Sequence, residues 1–433
     1  MKAMEKENQK IKLSPKQVFT KFGQFIFLSI KNSNSNNLWE SAASCSYSFI
    51  FSFIPVVLII FTVLSSILKF SPETLQIVID FCKRFSNVFD LTPFIKNLVE
   101  KKAISVMNIF LAIWVIWMAR KMFLSIVQAI NRIFLSATKR VSIVNQLITF
   151  ISEFVLVLVF ILVIILAFLL NKFLQLPVLE TIRHSFPKIF TTGSNVLVSS
   201  VLYFMFFVFT LYSYRFMSGT KPKISIAAFY AFISTAVTFV ISYFINKFMH
   251  FTNYNIIYGT ISTLLILLFK VYMFFAVFLF CAQMLYVSQF FEEQIIAQIY
   301  TSQKDENNSE DIFTKLINQK LFGNPSVFKI ETENKSFQVG DVIYSENQKA
   351  DYVFFVRSGC VEETKDGLAT TYKKGDFFGE IPAFLHSNRE SKAVTTEQTE
   401  LMMIKSQTFK KIIRKNLAAS AKALERVNNF TRE

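Results

Sequence analysis

Six long apolar runs limit the architectures open to this chain more than any other feature. Crossing about 30 Å of hydrocarbon takes roughly 20 helical residues. Runs of that length begin near Ala43 and end near Leu68, then extend from Ile104 to Ile130, Leu147 to Leu170, Val196 to Met217, Ile224 to Phe248 and Thr260 to Phe290. Open strand edges cannot be satisfied in lipid, and the sequence lacks the ten-residue alternation of a membrane barrel, so helices are expected throughout. Charged residues, 18% of the chain, gather at its start, in a few loops and beyond residue 290. A bilayer selects that clustering, because a charge at its centre costs several kcal/mol.

The expected organisation has four parts: a basic cytoplasmic segment over 1–37, a polytopic α-helical membrane domain of about six spans over 38–290, a helical and polar linker over 291–310, and a soluble α+β domain over 311–433. The first part holds seven lysines against Glu5 and Glu7. It is read as the positive-inside determinant of the first span rather than a lipid-binding arm. Arg132, Lys139, Arg140, Arg215, Lys221 and Lys223 would share its side, which puts both termini in the cytoplasm. Six basic residues between Lys69 and Lys102 argue the other way, diluted by four acidic ones. Two outer loops, around Leu75 to Phe89 and Leu176 to Phe190, have helical apolar spacing and read as interfacial helices.

Four cysteines without metal or redox spacing and three scattered histidines give no metal centre, and no enzyme is expected. Intramembrane polar groups stand out because burying them needs a reason. Lys270 sits midway along span six, Arg120 and Lys121 interrupt span two, and Glu153 lies near the start of span three. A cation paired to Glu153 in a cavity is one reading, and snorkelling or a structural ion pair is the other. Asn131, Arg132, Tyr254, Tyr258 and Gly259 are secondary candidates, and Pro55 is expected to bend span one.

After Phe291 the composition changes. Gly340, Gly359, Gly367, Gly375 and Gly379 punctuate short apolar runs such as Tyr352-Val-Phe-Phe-Val356, the pattern of an antiparallel β-roll or jelly roll. A helical tail from Gln407 to Phe430 follows. The run Tyr352 to Gly359, then Lys374-Gly-Asp-Phe-Phe-Gly-Glu380 and Arg389, resembles the cyclic-nucleotide-binding domain of catabolite activators, kinase regulatory subunits and gated channels. That resemblance implies a phosphate-binding cassette for cyclic AMP or cyclic GMP. Gly379 would offer backbone, Glu380 the ribose 2′-OH contact and Arg389 the phosphate clamp, with Ser391 nearby. The family usually has Ser or Thr and then Ala after the Arg, whereas Glu390 and Ser391 follow here. A carboxylate there opposes an anionic phosphate unless it turns away, so a nucleotide site and a degenerate interaction or dimerisation module both stand.

Six spans ahead of such a domain is also the plan of gated cation channels. This chain lacks a voltage-sensor repeat, and only about eleven residues join spans five and six, too few for a selectivity filter. The membrane part instead resembles the YihY/BrkB family, formerly labelled ribonuclease BN. The likeness lies in Ala42 to Pro55, Gln128-Ala-Ile-Asn-Arg-Ile-Phe134 and Tyr254-Asn-Ile-Ile-Tyr-Gly-Thr260, with Cys281-Ala-Gln283 where that family commonly has Gly-Ala-Glu. It implies a bacterial inner-membrane protein with a suspected transport role, and the basic intramembrane groups make a lipid or amphipathic anion the expected substrate. The expected partners are membrane lipids, a cyclic nucleotide and a second copy in a homo-oligomer, without nucleic acid. A non-transporting scaffold or sensor is the alternative.

Overall fold

The computed structural model describes residues 15–52, 106–134, 203–248, 260–303 and 332–431, with single positions 147, 150, 151, 200 and 322. Glu153, Pro55, Tyr254, Tyr258, Gly259 and both expected interfacial helices lie outside the described residues. The chain divides into two compact units, one of Asn37–Leu285 and one that joins Met1–Asn36 to Tyr286–Glu433.

In the first unit a helix over 38–52 is followed by α2 (Val106–Ile133), a helix over 203–212 that passes into one π-helical turn (Ser213–Met217), α3 (Ile224–Phe248) and most of α4 (Thr260–Gln289). The N-terminal segment supplies α1 (Pro15–Ser35) to the other unit. Among the described residues, Ile224–Ile245 and Leu265–Gln289 are long and apolar enough to cross a membrane. The six-span count rests on stretches that are not described. In α3 the stripe Ala227, Tyr230, Ala231 and Ser234 is buried, while Phe229, Phe232, Val240 and Phe244 are exposed. Small residues permit close helix approach on the inner side, and the bulky apolar side chains outside are what lipid solvates. Helix hydroxyls bond backward, Thr235 to the Ala231 carbonyl and Thr238 to that of Ser234, so they cost little in an apolar setting.

The second unit is a β-roll with helices on one side. Strands β1 (Thr332–Phe337), β3 (Tyr352–Ser358), β6 (Phe377–Phe378) and β8 (Thr399–Lys405) form one antiparallel sheet in the order β1-β8-β3-β6. Strands β2 (Val342–Tyr344), β4 (Cys360–Lys365), β5 (Leu368–Lys373) and β7 (Lys392–Thr395) form the other, in the order β2-β7-β4-β5. Successive strand residues face opposite sides. Phe354, Val356, Phe378 and Leu401 therefore pack inside the roll with Tyr344, Val361 and Ala393. Val353, Phe355, Phe377, Met402 and Ile404 pack outward. That double burial explains why β3 reads as a continuous apolar run rather than an alternating one.

The outward face is covered by α5 (Phe291–Ser302), α7 (Ser406–Arg414), α8 (Leu417–Phe430), the short α6 (Glu380–Leu385) and α1. Residues Gln294 through Thr301 of α5 are all buried, so the segment read from sequence as the start of a linker is a core helix. Helix α1 falls within the basic segment expected from sequence, yet its Leu28 is fully buried in the same cluster. Phe25 lies tilted against Phe291 and Phe27 against Phe322, at ring separations of 6.4 and 5.7 Å.

A buried amide node ties three helices that are distant in sequence. Asn32 of α1 donates through Nδ2 to Gln294 Oε1 of α5 at 2.9 Å, and Asn416 Nδ2 donates to the same oxygen at 2.9 Å. The Asn416 side-chain oxygen also caps α8 by accepting from the Ala419 amide. At the other end of α5, the buried Lys422 ammonium donates to the carbonyls of Thr301 and Gln303, placing a cation where the helix dipole is negative.

Candidate functional site

The cassette residues named from sequence converge. Gly379 takes a left-handed backbone (φ 72°) between β6 and α6, and a Cβ there would stand 2.5 Å from Arg389 Nη1. Only glycine lets the guanidinium lie this close. Arg389 is 2% exposed. Its Nη1 donates to the Gly379 carbonyl at 2.5 Å, its Nη2 to the Tyr352 carbonyl, and its charge lies 4.2 Å from the Tyr344 ring centre. Among the described residues, its Nε has no hydrogen-bond partner. Burial lowers the guanidinium from its usual range, opposed by Tyr344, Glu363 and Glu380, and it remains a cation.

Glu380 is 3% exposed and pairs with Arg426 of α8 at 2.5 Å. Burial pushes its carboxyl above the ordinary carboxylate range, and Arg426 pulls the other way. Arg426 also donates to Gln303 Oε1 at 3.4 Å, while Gln303 Nε2 donates to the Phe377 carbonyl at 2.9 Å. Helix α8 thus touches both the cassette carboxylate and the end of α5.

Ser391 is buried, and its hydroxyl donates to Glu363 Oε1 at 2.5 Å. Tyr344 donates to the same oxygen at 2.6 Å and Tyr372 to Glu363 Oε2 at 2.8 Å. Burial first, and Glu363 second, hold both phenols far above their usual range, so they remain donors. Glu390 is exposed and pairs with Lys365 at 3.0 Å. The local sequence marked Gly379, Glu380, Arg389 and Ser391. It gave no signal for Glu363, Tyr344, Tyr372 or Arg426, which reach the site from other strands and the last helix.

Among the described residues, the membrane candidates do not gather in this way. Lys121 is exposed with its ammonium 4.0 Å over the Trp117 ring. Arg120, Asn131 and Lys270 are half-buried, and Arg132 donates to Ser41 Oγ at 3.4 Å. Pairing with Glu153 lies outside the described residues.

The sequence profile of virulence factor BrkB matches residues 29–306, and that of the cyclic nucleotide-binding domain matches 334–416. A cAMP-dependent protein kinase regulatory subunit from Yarrowia lipolytica (strain CLIB 122 / E 150) is 29% identical over 111 residues, 24% of this chain. The chain spans about 29% of the length of that curated relative. Similar solved structures include the catabolite activator protein of Thermus thermophilus, 20% identical, covering 23% of this chain and 50% of that one, with a TM-score of 0.22. Another is cAMP-bound PfPKA-R, 18% identical, covering 32% of this chain and 44% of that one, with a TM-score of 0.23.

Proposed function

The chain belongs to the virulence factor BrkB family, and we propose that this member is an inner-membrane protein whose activity is set by cyclic AMP or cyclic GMP bound in its roll. In this reading it is multi-pass with both termini cytoplasmic, and the activity is transport of a lipid or amphipathic anion. No catalytic step is assigned to it.

The observation that carries the proposal is Arg389: a buried cation beside the left-handed Gly379, with an Nε donor left over. An anionic phosphate would supply the acceptor that Nε lacks, with a charge-assisted contact. Glu390, the residue that most opposed a phosphate, pairs with Lys365. Glu380 would reach the ribose only by adjusting its pairing with Arg426, and Arg426 bonds to Gln303 just past α5. Both ends of the BrkB match, 29–36 and 286–306, fall in the unit that contains the roll. Nucleotide binding would thereby bias segments that belong to the membrane family, provided the ligand favours one of two arrangements.

A second reading, a membrane scaffold or sensor with a degenerate roll, is favoured by one feature. Glu363 holds the Ser391 hydroxyl and places a half-buried carboxylate beside the cassette. Calorimetric titration of the full chain in nanodiscs with cyclic AMP and cyclic GMP separates the two. The nucleotide reading predicts saturable heat that weakens about 10- to 100-fold in Arg389→Gln, the loss of a charge-assisted contact. Absence of heat at millimolar ligand leaves the scaffold.

A further inference from the structure

Helix α1 has a second face that the roll does not cover. Val18, Phe19 and Phe22 are 53%, 79% and 62% exposed, and Ile30 is 50% exposed. Val18, Phe22 and Ile30 fall on one ridge of four-residue spacing, with Phe19 beside it. Three large apolar groups this exposed within five positions form a patch that asks for a partner.

Charge narrows what that partner can be. Helix α1 carries Lys16, Lys21 and Lys31 and no acidic residue, and positions 2–12 add four lysines against two glutamates. A symmetric pairing of two α1 helices would set like charges together, whereas an anionic surface would meet them with opposite charge. The next helix, over 38–52, opens the membrane unit after a turn at Asn36 and Asn37. An exposed apolar ridge on a helix that carries lysines and no acidic residue suits a helix lying in the headgroup layer.

We infer that the Phe19–Phe22 face of α1 seats in the headgroup layer of an anionic leaflet, while its opposite face holds the roll through Leu28 and Asn32. The helix then has two jobs, as a core element of the soluble unit and as a lipid contact. This inference does not depend on whether the roll binds a nucleotide.

The test is Phe22→p-benzoylphenylalanine in the full chain, in nanodiscs of equal parts phosphatidylglycerol and phosphatidylcholine, with photo-adducts read by mass spectrometry. Phe22 is exposed, so the replacement disturbs no core packing. The same substitution at Asp366, exposed in the β4–β5 turn, sets the background. Lipid adducts well above that background and enriched in phosphatidylglycerol are expected, with the enrichment lost in Lys16→Gln/Lys21→Gln. Cross-links between two chains, adducts at the background level, or adducts that mirror the bulk lipid ratio overturn the inference.

Discussion

A fragment of residues 286–433, which lacks α1, is expected to lose the fixed packing of its helical face, and joining residues 15–36 back onto it should restore that packing. In the fragment α5 keeps its apolar side chains but loses Leu28, Phe25 and Phe27 from the cluster that covers them. It also loses Asn32, leaving the buried Gln294 Oε1 with Asn416 as one donor where it had two. A single substitution reports the same dependence in the full chain. Leu28→Ala removes a fully buried side chain and should cost about 2–5 kcal/mol, a large part of the roughly 5–15 kcal/mol available to a domain. Asn32→Ala should cost about 1–3 kcal/mol by leaving buried amide groups without their partner. Urea unfolding followed by hydrogen exchange in α5 and α8 measures both. Equal protection in the fragment and the full chain would show that α1 is peripheral.

Arg426→Ala is expected to be the most damaging change at the cassette, and Arg426→Ala/Glu380→Gln is expected to recover most of the loss. Removing the arginine strands a carboxylate that is 3% exposed, with its own burial already opposing ionisation. Stranding one partner of a buried pair costs roughly 3–5 kcal/mol. The lower figure applies here because Arg426 retains 21% of its exposure. Replacing the carboxylate by an amide removes the unpaired charge, so the double variant should unfold within about 1 kcal/mol of the parent. The cost also has a pH signature. Glu380 holds its proton to higher pH folded than unfolded, so its contribution is fully present below the unfolded value and is lost as pH rises through the folded one. In Arg426→Ala the opposing pull is gone, and the loss of stability with rising pH should steepen. A parent-like unfolding midpoint for Arg426→Ala would mean that the pair carries little.

What could be read in advance follows sequence distance. The roll was legible because its signals are local: the β3 run, the glycines, and the Gly379-Glu380 pair followed by Arg389. The apolar spans at Ile224 and Thr260 were legible for the same reason, since a lipid-facing helix needs no partner to declare itself. Helix α1 was not. Its lysines and polar tail read as a basic arm, and its role rests on Asn32 meeting Asn416, 384 positions away. The burial of α5 is not legible locally, because Glu292 and Glu293 signal a solvent-facing start, while the next eight residues are buried by elements that the local sequence does not reveal. The pairing of Glu390 with Lys365 and the Glu363 cluster, which draws on residues from three strands, both depend on contacts that local sequence does not show. Local pattern gave the frame, and the long-range contacts decide what the frame can do.

The central claim is that the roll and the ends of the BrkB segment respond together to one ligand. Hydrogen exchange of the full chain in nanodiscs, with and without saturating cyclic nucleotide, measures this directly in residues 28–36 and 291–302. The account predicts that both segments change protection along with 379–391, and that Arg389→Gln abolishes all three changes. Measurable binding heat with exchange altered only within 332–405 would contradict it.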